Sequence, residues 1–279
     1  MNIHPTKMPD LEAVSLADQR APIRSDFQSA DELSATGRKL AVEKSAGLQN
    51  FAAFRFPDRL DSNEQALLRN HAAIAAATHK KQIITPAAEW LLDHHHTIKE
   101  NLRQVRRDLP AKFFQQLPAI PVNGAMALPR TFALTWHYVA HTDSAFRPQT
   151  LTAIVEGFQE AETLMIGEIW AIPAILRYVM LENLRRLSDR VDTSRRMRDE
   201  ANIFADMLTS SAQAGNLDLL FSTRERHTDD PSFVAQLLYR LREDAGSTSK
   251  ALIWLEQKLE DRQSDAEEVM IAEHAKIST

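Results

Sequence analysis

The sequence predicts an all-α protein, an irregular multi-helix bundle of helical hairpins around a kinked central helix. Glycine is scarce, with 7 residues among 279, so few tight turns are expected. The helix formers alanine and leucine are abundant, and no segment alternates apolar and polar side chains for long enough to predict a strand. These observations favour helices joined by short connections.

The densest apolar run, residues 164–187, is the predicted central helix. It reads LMIGEIWAIPAILRYVMLENLRRL, and its apolar side chains recur at helical spacing on more than one face. One predicted stripe contains Ile169, Ile172, Leu176, Val179 and Met180, with Trp170, Ile175 and Tyr178 beside it. A helix that is apolar nearly all round is typically buried, so this one is predicted at the core.

Charges and a proline interrupt the same helix. Glu168, Arg177 and Glu182 leave no charge-free stretch close to the ~20 residues that cross a bilayer. Pro173 removes a backbone donor and crowds the preceding turn. A kink near residues 169–172 is therefore predicted.

Start and stop signals predict the other helices. Ser62 with Gln65 fits a capping box, Thr85 precedes Pro86 as a cap, and Asp230 precedes Pro231 in the same way. Helices are predicted at residues 30–48, 65–79, 85–108, 113–117, 130–141, 148–161, 188–208, 232–243, 252–259 and 266–276.

Three regions are predicted along the chain. Residues 1–60 contain scattered prolines and are expected to form a leader, partly disordered or docked on the body. Residues 61–190 are predicted to form the core helical domain, and residues 191–279 a C-terminal helical extension. The last predicted helix lacks a stop signal, so we expect the extension to continue into a longer parent protein.

Composition excludes several classes of protein. The net charge of -5 argues against a general nucleic-acid binder, which usually carries a basic surplus. The absence of cysteine excludes disulfides and thiolate chemistry. No signal peptide, membrane span or glycine-rich phosphate loop is recognisable, so the chain as given is expected to be soluble and cytoplasmic.

The carboxylates nearest to the apolar centre are Glu168 and Asp143. Two carboxylates can hydrolyse or transfer a glycosyl group, and exposed tryptophans could stack on sugars. The tryptophans considered for this role are Trp90, Trp136 and Trp170. The favoured alternative is that Glu168 pairs with Arg130 or Arg177, because an unpaired buried charge is very costly. No catalytic residue is therefore assigned.

His137 and His141 are four residues apart, so they share one face of a helix, and Asp143 follows closely. This spacing could hold a metal, but the glutamate of the zinc peptidase motif is missing. Hydrogen bonds from the histidines to nearby carbonyl or carboxylate groups are the favoured interpretation, and no metal or cofactor is predicted.

Two basic clusters, at residues 103–107 and 185–190, lie near predicted helix ends. Phosphate or partner binding is one interpretation. A solvated, ion-paired face is the favoured one, since basic groups suit helix C-termini.

Several ordered motifs carry a resemblance to a known family. They are TPAAEWLLD at residues 85–93, AHTDS at 140–144, IGEIWA at 166–171, ENLRRL at 182–187 and DPSFVAQLLYRLRED at 230–244. Residues 64–276 resemble the N-terminal region of the cyclic β-1,2-glucan synthases, very large bacterial inner-membrane glycosyltransferases of the NdvB type. The chain departs from that pattern at His94 to His96 and at Phe113 and Phe114.

The resemblance implies a parent enzyme that transfers glucose from UDP-glucose, with its glycosyltransferase domain outside this chain. It assigns no catalytic residue to this segment. The implied function is a scaffolding or regulatory helical module on the cytoplasmic side of the inner membrane. The implied partner is the rest of the synthase, with β-glucan as a further candidate. The alternatives are a stand-alone carbohydrate-active enzyme using Glu168 and Asp143, or a helical protein-interaction domain.

Overall fold

The computed structural model describes residues 21–44, 52–53, 56–80, 82–122, 126–212, 227, 229–243, 249–260 and 270–271. Most of these residues are helical, which confirms the predicted all-α class. In chain order the elements are α1 (Ala30–Lys44), β1 (Ala52–Ala53), α2 (Phe56–His79), α3 (Pro86–Asp93), α4 (His95–Asp108), α5 (Ala111–Gln116), β2 (Ala119–Val122), β3 (Met126–Pro129), α6 (Arg130–His141), α7 (Pro148–Ala161), α8 (Ile166–Ala212), α9 (Pro231–Glu243) and α10 (Ser249–Glu260).

Several helix boundaries follow the predicted signals. Helices α6 and α7 have the predicted bounds, and α4 ends at Asp108, before Leu109 and Pro110. The Thr85 hydroxyl accepts a hydrogen bond from the Ala88 amide (3.3 Å), so it caps α3 as predicted. The charged run after residue 187 continues α8, also as predicted. None of the described helices is long and apolar enough to cross a membrane.

Other boundaries differ from the prediction. Helix α2 begins at Phe56, so Ser62 lies inside it, where its hydroxyl donates to the Asp58 carbonyl (2.8 Å) instead of capping. The helix predicted over residues 85–108 is interrupted at His94 and forms α3 and α4. The helix predicted at 266–276 lies largely outside the described residues, of which 270–271 are helical.

A small three-stranded sheet was not predicted. Its strand order is β1-β3-β2, with β1 parallel to β3 and β2 antiparallel to it. The strands are too short to show a period of two, and proline interrupts β2, so no strand pattern is recognisable in the sequence. The Arg130 amide donates to the Pro118 carbonyl (3.0 Å), and the sheet thereby fixes where α6 begins.

The chain divides into two compact units. Among the described residues, the first contains 21–69 and 94–187, and the second contains 70–93 and 188–271. Helices α2 and α8 contribute residues to both units. The domain boundary near residue 190 stays a prediction.

The core of the first unit is built around α8. Tyr178 is fully buried, and its ring packs against Phe56 (4.8 Å between ring centroids) and Phe132 (5.8 Å). The predicted stripe is buried at Ile172, Leu176 and Val179, and Ile175 beside it is buried too. The prediction was wrong for Ile169 and Trp170, which are 41% and 76% exposed. Helix α8 continues through Pro173, and the kink stays a prediction.

Helix α1 packs on α7 through two glycines. A methyl group added at Gly37 would lie 2.1 Å from the Ile154 carbonyl oxygen, and one added at Gly157 would lie 2.1 Å from the Ser34 carbonyl oxygen. Only glycine lets the two backbones approach this closely. Part of the predicted leader is therefore an integral helix of the first unit.

The second unit has its own apolar core. Phe204 of α8 packs against Phe233 of α9 (6.1 Å between ring centroids), and both are fully buried. Asp230 caps α9 by accepting hydrogen bonds from the amides of Ser232 (2.9 Å) and Phe233 (3.3 Å), as its position before Pro231 predicts. The other core residues include Ala201, Leu208, Leu237, Leu241, Ala251 and Leu255.

Candidate functional site

The first buried carboxylate of α8, Glu168, pairs with Arg130 at the start of α6. Its two oxygens accept from Arg130 Nε (2.6 Å) and Nη2 (2.7 Å), and its side chain is 1% exposed. One oxygen also accepts from the Met165 amide (2.9 Å), so Glu168 caps its own helix. The structure therefore contains the Glu168–Arg130 ion pair that the sequence favoured over a catalytic role for Glu168.

All three guanidinium nitrogens of Arg130 donate hydrogen bonds in this arrangement. It also donates to the Glu162 carboxylate and the Thr163 carbonyl, and its guanidinium lies 5.6 Å from the centre of the Phe158 ring. The hydrogen bond to Glu168 and the two nearby carboxylates raise the pKa of Arg130. A guanidinium held in this way joins the start of α6 to the turn before α8. Arg177, the other predicted partner of Glu168, instead pairs with Asp108 (3.7 Å).

The second buried carboxylate, Glu182, is shared by three arginines. It accepts from Arg59 of α2 (2.9 and 2.5 Å) and from Arg185 and Arg186 of its own helix (2.9 Å each). Asn63 of α2 donates a further bond (2.8 Å). We call these five residues the Glu182 cluster. It fixes the middle of α8 against α2.

Burial and charge act in opposite directions on Glu182. Burial alone would raise the pKa of its carboxyl, but the hydrogen bonds and charge of Arg59, with the charges of Arg186 and Arg185, lower it to about 2. The carboxyl is therefore ionised at every physiological pH. Burial and the nearby Glu182 charge raise the pKa of the Tyr178 hydroxyl, one turn earlier. A permanently ionised, enclosed carboxylate is suited to structure rather than to proton transfer.

The Glu182 cluster also holds the extended segment at residues 21–29. Arg186 donates to the Ala21 carbonyl (2.9 Å), and its guanidinium lies 5.1 Å from the centre of the Trp136 ring. Asn183, which follows Glu182 in α8, accepts a hydrogen bond from the Ile23 amide (2.7 Å). The buried face of ENLRRL thus binds the segment that leads into α1.

Asn183 further joins this segment to the AHTDS turn. Its amide donates to the Ser144 hydroxyl (2.8 Å). Asp143 and Ser144 both have positive φ (51° and 63°), and the Ser144 amide donates to the Val139 carbonyl (3.1 Å), which closes the end of α6. The Ser25 amide donates to the Ala140 carbonyl (2.9 Å) at the same helix end.

The structure does not bring Glu168 and Asp143 together. Glu168 binds the first residue of α6, whereas Asp143 lies beyond the last. The 12 residues of α6 span about 18 Å, about twice the largest separation of a glycosidase carboxylate pair. Asp143 is 60% exposed and pairs with Arg24 (3.2 Å), so the geometry does not support the two-carboxylate enzyme.

His137 and His141 share a face of α6, as predicted, and both are buried. Their rings lie 6.0 Å apart and nearly parallel, and His141 Nδ1 donates to the Asp26 carbonyl (2.7 Å). The favoured hydrogen-bonded interpretation thus holds for His141. Among the described residues, no three His, Asp or Glu side chains are grouped as a metal site requires.

The three candidate tryptophans have different surroundings. Trp136 is 3% exposed beneath Arg186, so it cannot present a face to a sugar. Trp90, on α3 of the second unit, is 46% exposed, and Trp170 is 76% exposed. Of these three residues, Trp170 offers the most accessible ring.

Sequence reasoning missed the Glu182 cluster. Arg185 and Arg186 were expected on a solvated face, but they are 6% and 3% exposed. A usable signal was present, because Glu182 precedes them by three and four residues inside an apolar helix. Arg59 and Asn63 carried no signal, since they lie more than a hundred residues away from Glu182 in the chain.

One curated protein matches nearly the whole chain. The cyclic β-(1,2)-glucan synthase NdvB of Rhizobium meliloti (strain 1021) is 45% identical over 262 residues. This chain is similar to a cyclic β-(1,2)-glucan synthase. The match covers 94% of this chain but spans only 9% of that relative's length. The resemblance predicted from the motifs is confirmed, and no protein-family model matches the chain.

Proposed function

We propose that this chain is a non-catalytic helical module of a cyclic β-1,2-glucan synthase, with a scaffolding role. The parent would transfer glucose from UDP-glucose at a site outside this chain, and the module would lie on the cytoplasmic side of the inner membrane. The similarity to a synthase over 94% of the chain motivates the parent, and the charge pairing in the first unit motivates the role.

One observation carries the scaffolding role: each of the two buried carboxylates of α8 binds an arginine from another helix. Glu168 joins α8 to α6, and Glu182 joins α8 to α2. Each side chain is 1% exposed, so neither carboxylate can reach a substrate. These carboxylates determine how the helices pack, which is what a scaffold requires.

A buried ion pair allows a decisive test. If Glu168 is structural, Glu168→Leu alone should cost about 3–5 kcal/mol of unfolding free energy, because Arg130 loses its main partner. The double variant Arg130→Met with Glu168→Leu should recover most of that loss, since apolar side chains can replace a buried pair. Urea unfolding of the purified chain measures both.

The same variants are then placed in the intact synthase. Synthesis of β-1,2-glucan from UDP-glucose should fall with the single variant and return with the double variant. A double variant that is inactive but as stable as the unsubstituted chain would contradict the proposal, because activity would then require the carboxylate itself. Glucosyl transfer by the isolated chain would contradict it equally.

Binding of β-glucan stays a prediction. Trp170 is the most accessible of the three tryptophans considered for it. Titration of the isolated chain with β-1,2-glucan oligosaccharides, followed by Trp fluorescence, checks this. Trp170→Ser shows whether any response involves this ring.

A further inference from the structure

The first turns of α8 expose a continuous apolar surface. Its exposed fractions are 64% for Met165, 72% for Ile166, 41% for Ile169 and 76% for Trp170, and Pro173 is exposed beside them. Met165 lies just before the helix, and at 100° per residue the other four side chains fall within one face of it, opposite to Glu168. We call all five the Trp170 patch.

The composition of the patch fits a protein partner. Interface centres are enriched in tryptophan and methionine and depleted of charge, and charged groups form their rims. The Trp170 patch has no charged member. The Arg177–Asp108 pair (3.7 Å) comes one turn after Pro173, and the partly exposed Glu162 lies just before Met165. A sugar site would instead need hydrogen-bonding groups beside the ring, and the five patch side chains supply only the indole N–H.

The size of the patch argues against a free partner. From Met165 to Pro173 the surface is about 14 Å long and about 10 Å wide. A stable interface between separate proteins involves about 20–30 residues on each side, several times the five of the patch. A partner tethered to the same polypeptide avoids most of the entropy cost of association, so a small contact suffices.

We propose that the Trp170 patch is the docking surface for an apolar helix from another part of the same synthase polypeptide. This inference rests on the proposed function. The chain corresponds to 9% of the related synthase, so about ten times as much polypeptide remains to supply the occupant. Through this contact the module would hold its neighbour in the parent enzyme.

Photo-cross-linking in the intact polypeptide tests the docking surface. p-Benzoylphenylalanine replaces Trp170 in one sample and Tyr239 in the control. Tyr239 is a 52% exposed aromatic residue of α9, outside the patch. Mass spectrometry after irradiation should find peptides beyond residue 279 joined to position 170, at a yield at least ten times that from position 239. An equal mixture of ¹⁵N-labelled and unlabelled protein shows whether each product joins one chain or two.

Several results would overturn the inference. They are products joining two copies, adducts with lipid alone, equal yields at the two positions, or a cross-link abolished by β-1,2-glucan. Each would assign the patch to a different occupant or to none. An intact polypeptide that makes glucan but gives no product at position 170 refutes only the docking surface. An unsubstituted intact polypeptide that makes no β-1,2-glucan refutes the proposed function.

The contact should also affect the parent more than the module. The double variant Ile166→Ser with Trp170→Ser should leave the unfolding midpoint of the isolated chain unchanged, because both side chains are exposed. In the intact synthase it should lower glucan synthesis at least fivefold, with Ile203→Ser and Ile253→Ser, both 57% exposed, as the control pair. Equal activity of the two double variants would contradict the proposal.

Discussion

The two parts of helix α8 use charge in different ways. In residues 166–187, Glu168 pairs with Arg130 and Glu182 pairs with Arg59, partners 38 and 123 residues distant in sequence, and the two carboxylates are buried. In residues 188–212, Arg195 pairs with Asp192 and Asp199 (2.9 Å each) within the helix, at partly exposed positions.

This difference separates tertiary from local stabilisation. A buried carboxylate with distant partners has one arrangement that satisfies it, so it selects which helices pack together. Pairs three or four residues apart stabilise the helix that contains them by only about 0.2–0.5 kcal/mol each. The buried carboxylates in the first part of α8 therefore specify packing, whereas the pairs of Arg195 in the second part mainly stabilise the helix that contains them.

Replacement of Glu182 should have the largest effect. Glu182→Gln removes the charge that Arg59, Arg185 and Arg186 share, and breaking a buried ion pair costs about 3–5 kcal/mol. Urea unfolding of the isolated chain, followed by circular dichroism, measures the change. A loss under 1 kcal/mol would show that the two parts of α8 do not differ as described.

Acid should weaken the first part of α8 through the same group. The folded pKa of Glu182 is about 2, below the ordinary 4.5, so its contribution is complete above pH 4.5 and is lost as the pH falls towards 2. A depression of this size corresponds to about 3 kcal/mol. Because the folded pKa of about 2 lies below pH 2.5, part of this contribution is still present there. The unfolding free energy of the unsubstituted chain should therefore fall by about 2 kcal/mol more than that of Glu182→Gln between pH 5 and 2.5. Parallel pH profiles would contradict this.

The local features of the fold could be predicted from the sequence. Helix caps act on residues close in sequence, so Thr85 and Asp230 marked helix starts correctly. The Glu168–Arg130 alternative was accessible too, because the cost of an isolated buried charge demands a partner, and Arg130 begins a strongly apolar helix. Such inferences depend on residues close in sequence or on a general energetic rule.

Features that depend on distant segments could not be predicted. Predicting the Arg59–Glu182 pair requires knowing that α2 packs on α8, and no pattern in the sequence of either helix indicates that they pack together. The small sheet forms because three short segments meet, not because any has a strand period. The exposure of Trp170 was missed because an apolar residue on a mostly apolar helix is predicted to be buried, and the sequence does not show which of its faces another element covers.

The next prediction concerns a close backbone contact between α1 and α7 rather than a charge. Gly157→Ala would place a methyl group 2.1 Å from the Ser34 carbonyl oxygen, and neither backbone can rotate away. The clash should outweigh the gain in helix propensity and cost about 1–3 kcal/mol, with faster amide exchange in α1. Gly167→Ala is the control, because its methyl group would meet only Phe113 at 3.9 Å. Equal exchange in α1 for both variants would show that α1 does not depend on this crossing.

The smallest effect is expected in the second part of α8. Asp192→Asn removes the carboxylate that pairs with Arg195 (2.9 Å) and Arg196 (3.2 Å), but both pairs are local and Arg195 keeps Asp199. The loss should be about 0.5 kcal/mol or less, and 1 M salt should reduce it further by screening. Urea unfolding measures this loss as it does for Glu182→Gln. The two losses can be compared directly because each variant replaces one carboxylate of α8 by an amide. A loss as large as that of Glu182→Gln would mean that Asp192 also specifies tertiary packing, and the two parts of α8 would then not differ in how they use charge.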